Sequence, residues 1–135
     1  MKITIALLGT TLTLLFACTE SSPVATAPPA PLFPALKDPQ EASMEALLRG
    51  RLELSGRCLL VGNSLVIWPY GYTLRTRDST SGIYNEKGVP VVQVGDTVQL
   101  SGGEGRLTAA IERQLTGYVP GACNGPLWIA GSVMK

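Results

Sequence analysis

Downstream of residue 39, this chain of 135 residues predicts an all-β fold, a small OB-like β-barrel carrying one or two short helices. Two observations carry that prediction. From Arg51 onward, apolar residues fall in short runs or in alternation with polar ones, the texture of half-buried strands. Between the runs stand compact turn signals: Gly62-Asn63, Asp78 to Gly82, Glu86-Lys87-Gly88 and Gly95-Asp96. A helical stretch interposed among several short strands suits a closed or nearly closed barrel. A small β-sandwich is the alternative, because such runs do not set strand order.

The elements follow in order. Asp38-Pro39-Gln40-Glu41 places an N-cap Asp before a first-turn Pro, with Glu three residues after the Asp. Met44, Leu47 and Leu48 then form one apolar stripe and Gly50 ends it, so a short helix is predicted over 39–49. Leu52-Glu53-Leu54 and Cys58-Leu59-Leu60-Val61 are one bent strand or two, and Leu65 to Trp68 follow the Gly62-Asn63 hairpin. Pro69-Tyr70-Gly71 breaks the chain before the alternating Tyr72 to Arg77. Ile83 to Asn85, Val89 to Val94 and Thr97 to Leu100 are further strands, the last stopped by Ser101-Gly102-Gly103. Leu107, Ile111 and Leu115 share one helical face, and Leu127 to Ala130 with Ser132 to Met134 make the closing strand.

The first 39 residues have a different character. A basic Met1-Lys2 start leads into the apolar run Ile3 to Phe16, which is short of the ~20 residues a spanning helix needs. The run ends in Leu15-Phe16-Ala17-Cys18, which resembles the lipobox of bacterial lipoproteins. That resemblance implies a signal peptide over 1–17, removal before Cys18 and a lipid on the Cys18 thiol. Leu15, third before the cut, suits the lipoprotein peptidase better than general signal peptidase, which favours a small residue there. Two or three acyl chains, at ~0.8 kcal/mol per buried methylene, give a durable anchor. Thr19 replaces the Asp that retains some lipoproteins at the inner membrane, which points to the outer membrane where a cell has one. Residues 18–39, rich in Ser, Thr, Ala and Pro, predict a lipid-anchored, semi-rigid tether, with residues 40–135 as the barrel domain.

With Cys18 assigned to lipid, Cys58 and Cys123 form an even pair in an exported chain, and a disulfide between them is expected. A reactive or metal-binding pair would need a low-pKa thiolate or further soft ligands, and neither CxxC spacing nor a third free cysteine is present. The chain has no histidine. Ser-His-Asp and Cys-His machinery and the common zinc sets are therefore absent, and no metal or cofactor is expected. Lys87 in a turn and Lys135 at the terminus are poor candidates to activate a serine. The carboxylates Glu53, Asp78, Glu86, Asp96, Glu104 and Glu112 show no spacing that pairs any two of them for glycosidase chemistry, so no enzyme is expected. Eleven basic side chains, one of them Lys2 in the signal, balance ten acidic ones. Arg49, Arg51 and Arg57, and also Arg75 and Arg77, are expected on a solvated outer face. Neutral balance and export together argue against a nucleic-acid partner.

Trp68-Pro69-Tyr70-Gly71-Tyr72 is the stretch most suggestive of binding, since rings on a loop can stack against sugar faces. Trp68, Tyr70 and Tyr72 are accordingly the candidate ligand-binding residues. The competing reading packs Trp68 and one tyrosine into the barrel end, with Pro and Gly shaping a corner. Cys58-Leu59-Leu60-Val61, this aromatic corner, Val94 to Glu104 and Cys123 to Trp128 together resemble a group of small exported bacterial proteins and lipoproteins of uncharacterised activity. Those proteins carry a WPxGY-type turn and a VGDxVxxxGG segment. The resemblance brings no activity, cofactor or catalytic residue with it. The expectation is a binding or interaction module of the cell envelope, held to the membrane through Cys18, with another envelope protein or a glycan as partner. A purely structural envelope lipoprotein within a larger assembly is the alternative, and an envelope hydrolase without histidine comes third.

Overall fold

A computed structural model describes residues 23–134; the predicted signal, Cys18 and Lys135 lie outside the described residues. The chain is mainly β, as its turn spacing predicts. Five strands close into a barrel: β2 (Ala46–Ser55), β3 (Cys58–Val61), β4 (Ser64–Ile67), β8 (Thr97–Gly105) and β10 (Leu127–Met134). They run in the order β10-β4-β3-β2-β8, and β8 pairs back onto β10. All pairings are antiparallel except β10 with β4, where Trp128 faces Val66 and Ile129 faces Ile67. A second sheet, β5 (Thr73–Arg77), β6 (Thr80–Tyr84) and β7 (Pro90–Gln93), lies between the third and fourth barrel strands in sequence.

Alternation fills the interior. Leu52, Leu59, Val61, Val66, Trp68, Val98, Leu100, Trp128 and Ala130 make one buried cluster, joined by Ile83 and Val92 from the second sheet. A covering layer lies over the outer faces of β4 and β10. It consists of a two-residue ribbon, β1 (Ala35–Leu36) against β9 (Leu115–Thr116), the helix α1 (Ala109–Arg113) and the loop through Cys123. Leu107, Ile111 and Leu115 do share one apolar face, packed with Leu36 and Ile67. The helix is shorter than that spacing, because Leu115 leaves it to pair with Leu36.

Three expectations are corrected. No helix forms over 39–49; β2 begins at Ala46. Its apolar positions obey period two when followed past Gly50, with Leu48, Gly50 and Leu52 less exposed than their neighbours. Gly50 is no helix stop. A Cβ there would stand 2.7 Å from the Gly62 backbone nitrogen, so the glycine lets β2 turn from β8, which pairs with 46–51, onto β3, which pairs with 52–55. Likewise Ser101-Gly102-Gly103 does not end β8. A Cβ at Gly102 would collide with the Ile129 carbonyl oxygen, and one at Gly103 with the Met44 sulfur, so these glycines admit close neighbours inside a strand that runs on to Gly105.

The third correction concerns the tether. Residues 23–30 are exposed, but Leu32, Pro34, Ala35 and Leu36 are buried on the barrel. Backbone bonds fix them there: Leu32 N–H donates to Arg57 O at 2.8 Å, Trp68 N–H to Pro34 O at 2.8 Å, and Leu36 N–H to Trp68 O at 3.0 Å. Proline excludes a long ladder but not single bridges and apolar contact, so residues 31–37 form a strap that belongs to the domain. The disulfide joins Cys58 to Cys123 with Cα atoms 5.7 Å apart, and Cys123 packs with Leu32 and Leu65 beneath that strap.

Candidate functional site

The Trp68–Tyr72 corner leaves β4 and enters β5, and the two barrel-side bonds of Trp68 to the strap set its direction. Alternation sends Trp68 inward. It is 0% exposed and stacks on Phe33 with ring centroids 5.5 Å apart, so it is removed from the candidate ligand site. Tyr70, beyond the end of β4 in the turn, is 46% exposed, while Tyr72 is half-buried. The aromatic triad is thus divided: one ring builds the core and two reach solvent.

Tyr70 and Tyr72 line an open cleft of about 370 Å³ together with Pro69, Glu86, Gly131 and the loop 39–43. Glu86 arrives there through the β5–β6 hairpin. Asp78 and Ser79 both adopt left-handed backbone, a two-residue turn that pairs Arg77 with Thr80 and Thr73 with Tyr84. The same register, carried two residues further, sets Gly71 opposite Glu86. Gly71 has φ +80°, and a Cβ on it would lie 2.7 Å from the Glu86 Cβ, so only glycine lets the corner seat against that turn. Asn85 holds the turn closed, its Oδ1 accepting from Lys87 N–H and Val89 N–H at 3.0 Å each. Glu86, Glu41 and Ser43 are the cleft residues that sequence reasoning missed as a group. Taking the tight turn at 78–79, instead of a loop over 78–82, would have revealed Glu86.

Burial, and secondly the charge of Glu86, raises the pKa of the Tyr72 hydroxyl above its ordinary value near 10. The folded protein therefore holds this proton more tightly than the unfolded chain. Its contribution to stability is complete below about pH 10 and is lost as pH rises through the folded pKa. Absorbance titration should show one tyrosine ionising late, and that phase should vanish in Tyr72→Phe. Glu86→Gln should shift the phase partway back, since burial is the larger cause. A Tyr72 phase at the ordinary position would contradict this geometry.

The arginine groups take outer positions. Arg49 and Arg51 lie exposed on β2, and Arg57 donates from Nε to Ala30 O at 3.1 Å, holding the start of the strap. The Arg75 guanidinium stands 4.5 Å from the centre of the Tyr84 ring. Among the described residues, no group of three or more His, Cys, Asp or Glu side chains is close enough to hold a metal ion, and no helix is long and apolar enough to cross a membrane. Comparison with protein-family models, curated proteins and solved structures finds no match to this chain.

Proposed function

We propose that this chain is a lipid-anchored, extracytoplasmic binding module of a bacterial cell envelope, with the Tyr70–Tyr72 cleft as its ligand site and an envelope glycan as its ligand. One observation carries the ligand site: Tyr70 is exposed at an open cleft, and Tyr72, which packs against the core cluster of Trp68, also lines it. Flat amphipathic rings offer a stacking surface for the apolar faces of sugars, with Gln40, Glu41, Ser43 and Glu86 as neighbouring hydrogen-bonding groups.

Export is supported by the Cys58–Cys123 disulfide, since such bonds persist chiefly in oxidising compartments. The lipobox-like residues before Cys18 supply the anchor. Because the strap is docked from Leu32, the free spacer is shorter than composition suggests. Its domain end falls at about residue 30, since residues 23–30 are exposed and Leu32 is buried. Ser43 has neither a lysine nor a histidine beside it in the cleft lining, so the lining offers no such base to activate that serine.

Mass spectrometry of the mature N-terminus, with membrane fractionation of Cys18→Ala, tests the anchor. A diacylglyceryl-modified Cys18 and release of the variant from membranes are expected. An unlipidated start, or full membrane retention without Cys18, would count against it.

A further inference from the structure

A second trough lies against the same 38–42 loop as the cleft beside Tyr70. The two share Pro39, Gln40, Glu41 and Ala42, and the second, also about 370 Å³, adds Asp38 and Gln114. Together they hold three carboxylates, Asp38, Glu41 and Glu86. Among the described residues neither lining contains a lysine or an arginine. Lys37, next to Asp38, is held by its Nζ donating to Arg113 O at 2.9 Å, and Lys87, next to Glu86, is not among the lining residues.

From this one-signed lining and the two tyrosines of the first cleft, we infer that the cleft binds a saccharide bearing free protonated amines, an amino sugar without its N-acetyl group. The inference rests on the Tyr70–Tyr72 cleft being a ligand site, and it adds the charge of the ligand. Anionic glycans would meet repulsion from these carboxylates. A neutral sugar would gain nothing from the carboxylates beyond ordinary hydrogen bonds. An ammonium gains charge-assisted bonds to Glu86 and Glu41, and attraction to the exposed Tyr70 ring. A bare metal ion is disfavoured by geometry, because these carboxylates are not gathered into a coordinating group. An isolated lysine side chain needs one narrow pocket, whereas an open cleft beside an exposed tyrosine suits a flat sugar residue.

Isothermal titration calorimetry on the purified full-length exported chain tests this, with a glucosamine tetramer, an N-acetylglucosamine tetramer, a neutral glucose tetramer and a lysine tetrapeptide as probes. The glucosamine tetramer should bind at least 10-fold more tightly than the other three, with affinity falling as salt rises. Glu86→Gln should remove about 10-fold of that preference, and Tyr70→Ala should weaken binding of every sugar. Glu86 and Tyr70 are both exposed, and unchanged thermal unfolding would show that each variant is folded. Equal binding of all three tetramers would overturn the amine requirement while leaving the aromatic sugar site intact. No binding of any saccharide would overturn the site itself. Equal binding of the lysine peptide would overturn the saccharide assignment.

Discussion

Trp68→Ala is expected to cost about 3–5 kcal/mol of folding stability, whereas Tyr70→Ala, two residues away, should change it by less than about 0.5 kcal/mol. Trp68 is fully enclosed and meets three parts of the molecule at once. Its ring stacks on Phe33 of the strap, its main chain bonds to Pro34 and Leu36, and its side chain fills the barrel beside Val66 and Ala35. Truncation removes the stack and leaves a cavity that the closed barrel cannot collapse around. Trp68→Phe should cost far less. It preserves a ring against Phe33 and discards an indole N–H that is buried without a hydrogen-bond partner among the described residues. Urea unfolding of the three variants measures this. Near-equal losses for alanine at 68 and 70 would mean that the corner is not divided between core and surface.

Loss of the Cys58–Cys123 bond should be comparably severe. The 65-residue separation corresponds to about 4 kcal/mol in the chain-entropy account. The bond also connects the first residue of β3 to the covering layer, and Cys123 lies against Leu32 of the strap and Leu65 of β4. Its removal frees that layer as well as enlarging the unfolded ensemble. The double variant Cys58→Ala/Cys123→Ala is the cleaner test, since a single substitution leaves a free thiol. It should lower the melting temperature by more than roughly 10 °C, and reductant should have no further effect on it. A change of under about 1 kcal/mol in the double variant would contradict the view that this small domain depends on its covalent staple.

Much of the barrel was legible because strands and turns leave local marks. Gly62-Asn63 marks the β3–β4 hairpin, and alternation over Tyr72 to Arg77 marks β5. The disulfide was legible from parity alone once Cys18 was assigned to lipid. Several of the errors share one physical cause, in that glycine carries two meanings. At Gly50, Gly102 and Gly103 the absent side chain makes room for a neighbouring backbone or side chain, which only the tertiary structure reveals. Asp38 to Glu41 satisfies a helix-start pattern, yet pairing of 46–51 with β8 overrides that local preference. The strap was hidden for a similar reason: Leu32, Phe33 and Leu36 sit in a proline-rich stretch whose composition suggests only a spacer. Within the candidate site, Tyr70 and Tyr72 were readable as rings on a corner. Their company with Glu86 and the 39–43 loop required the hairpin register.

Chemical-shift mapping by NMR, as the protein is titrated with soluble fragments of bacterial envelope glycan, tests the binding account most directly. Perturbed resonances should cluster at 39–43, at Tyr70 to Tyr72, at Glu86 and at Gly131, with Trp68 responding only weakly from behind the corner. Saturable shifts confined to another surface, such as the exposed face around Leu47, Arg49 and Gln99, or no saturable shift with any fragment, would contradict it.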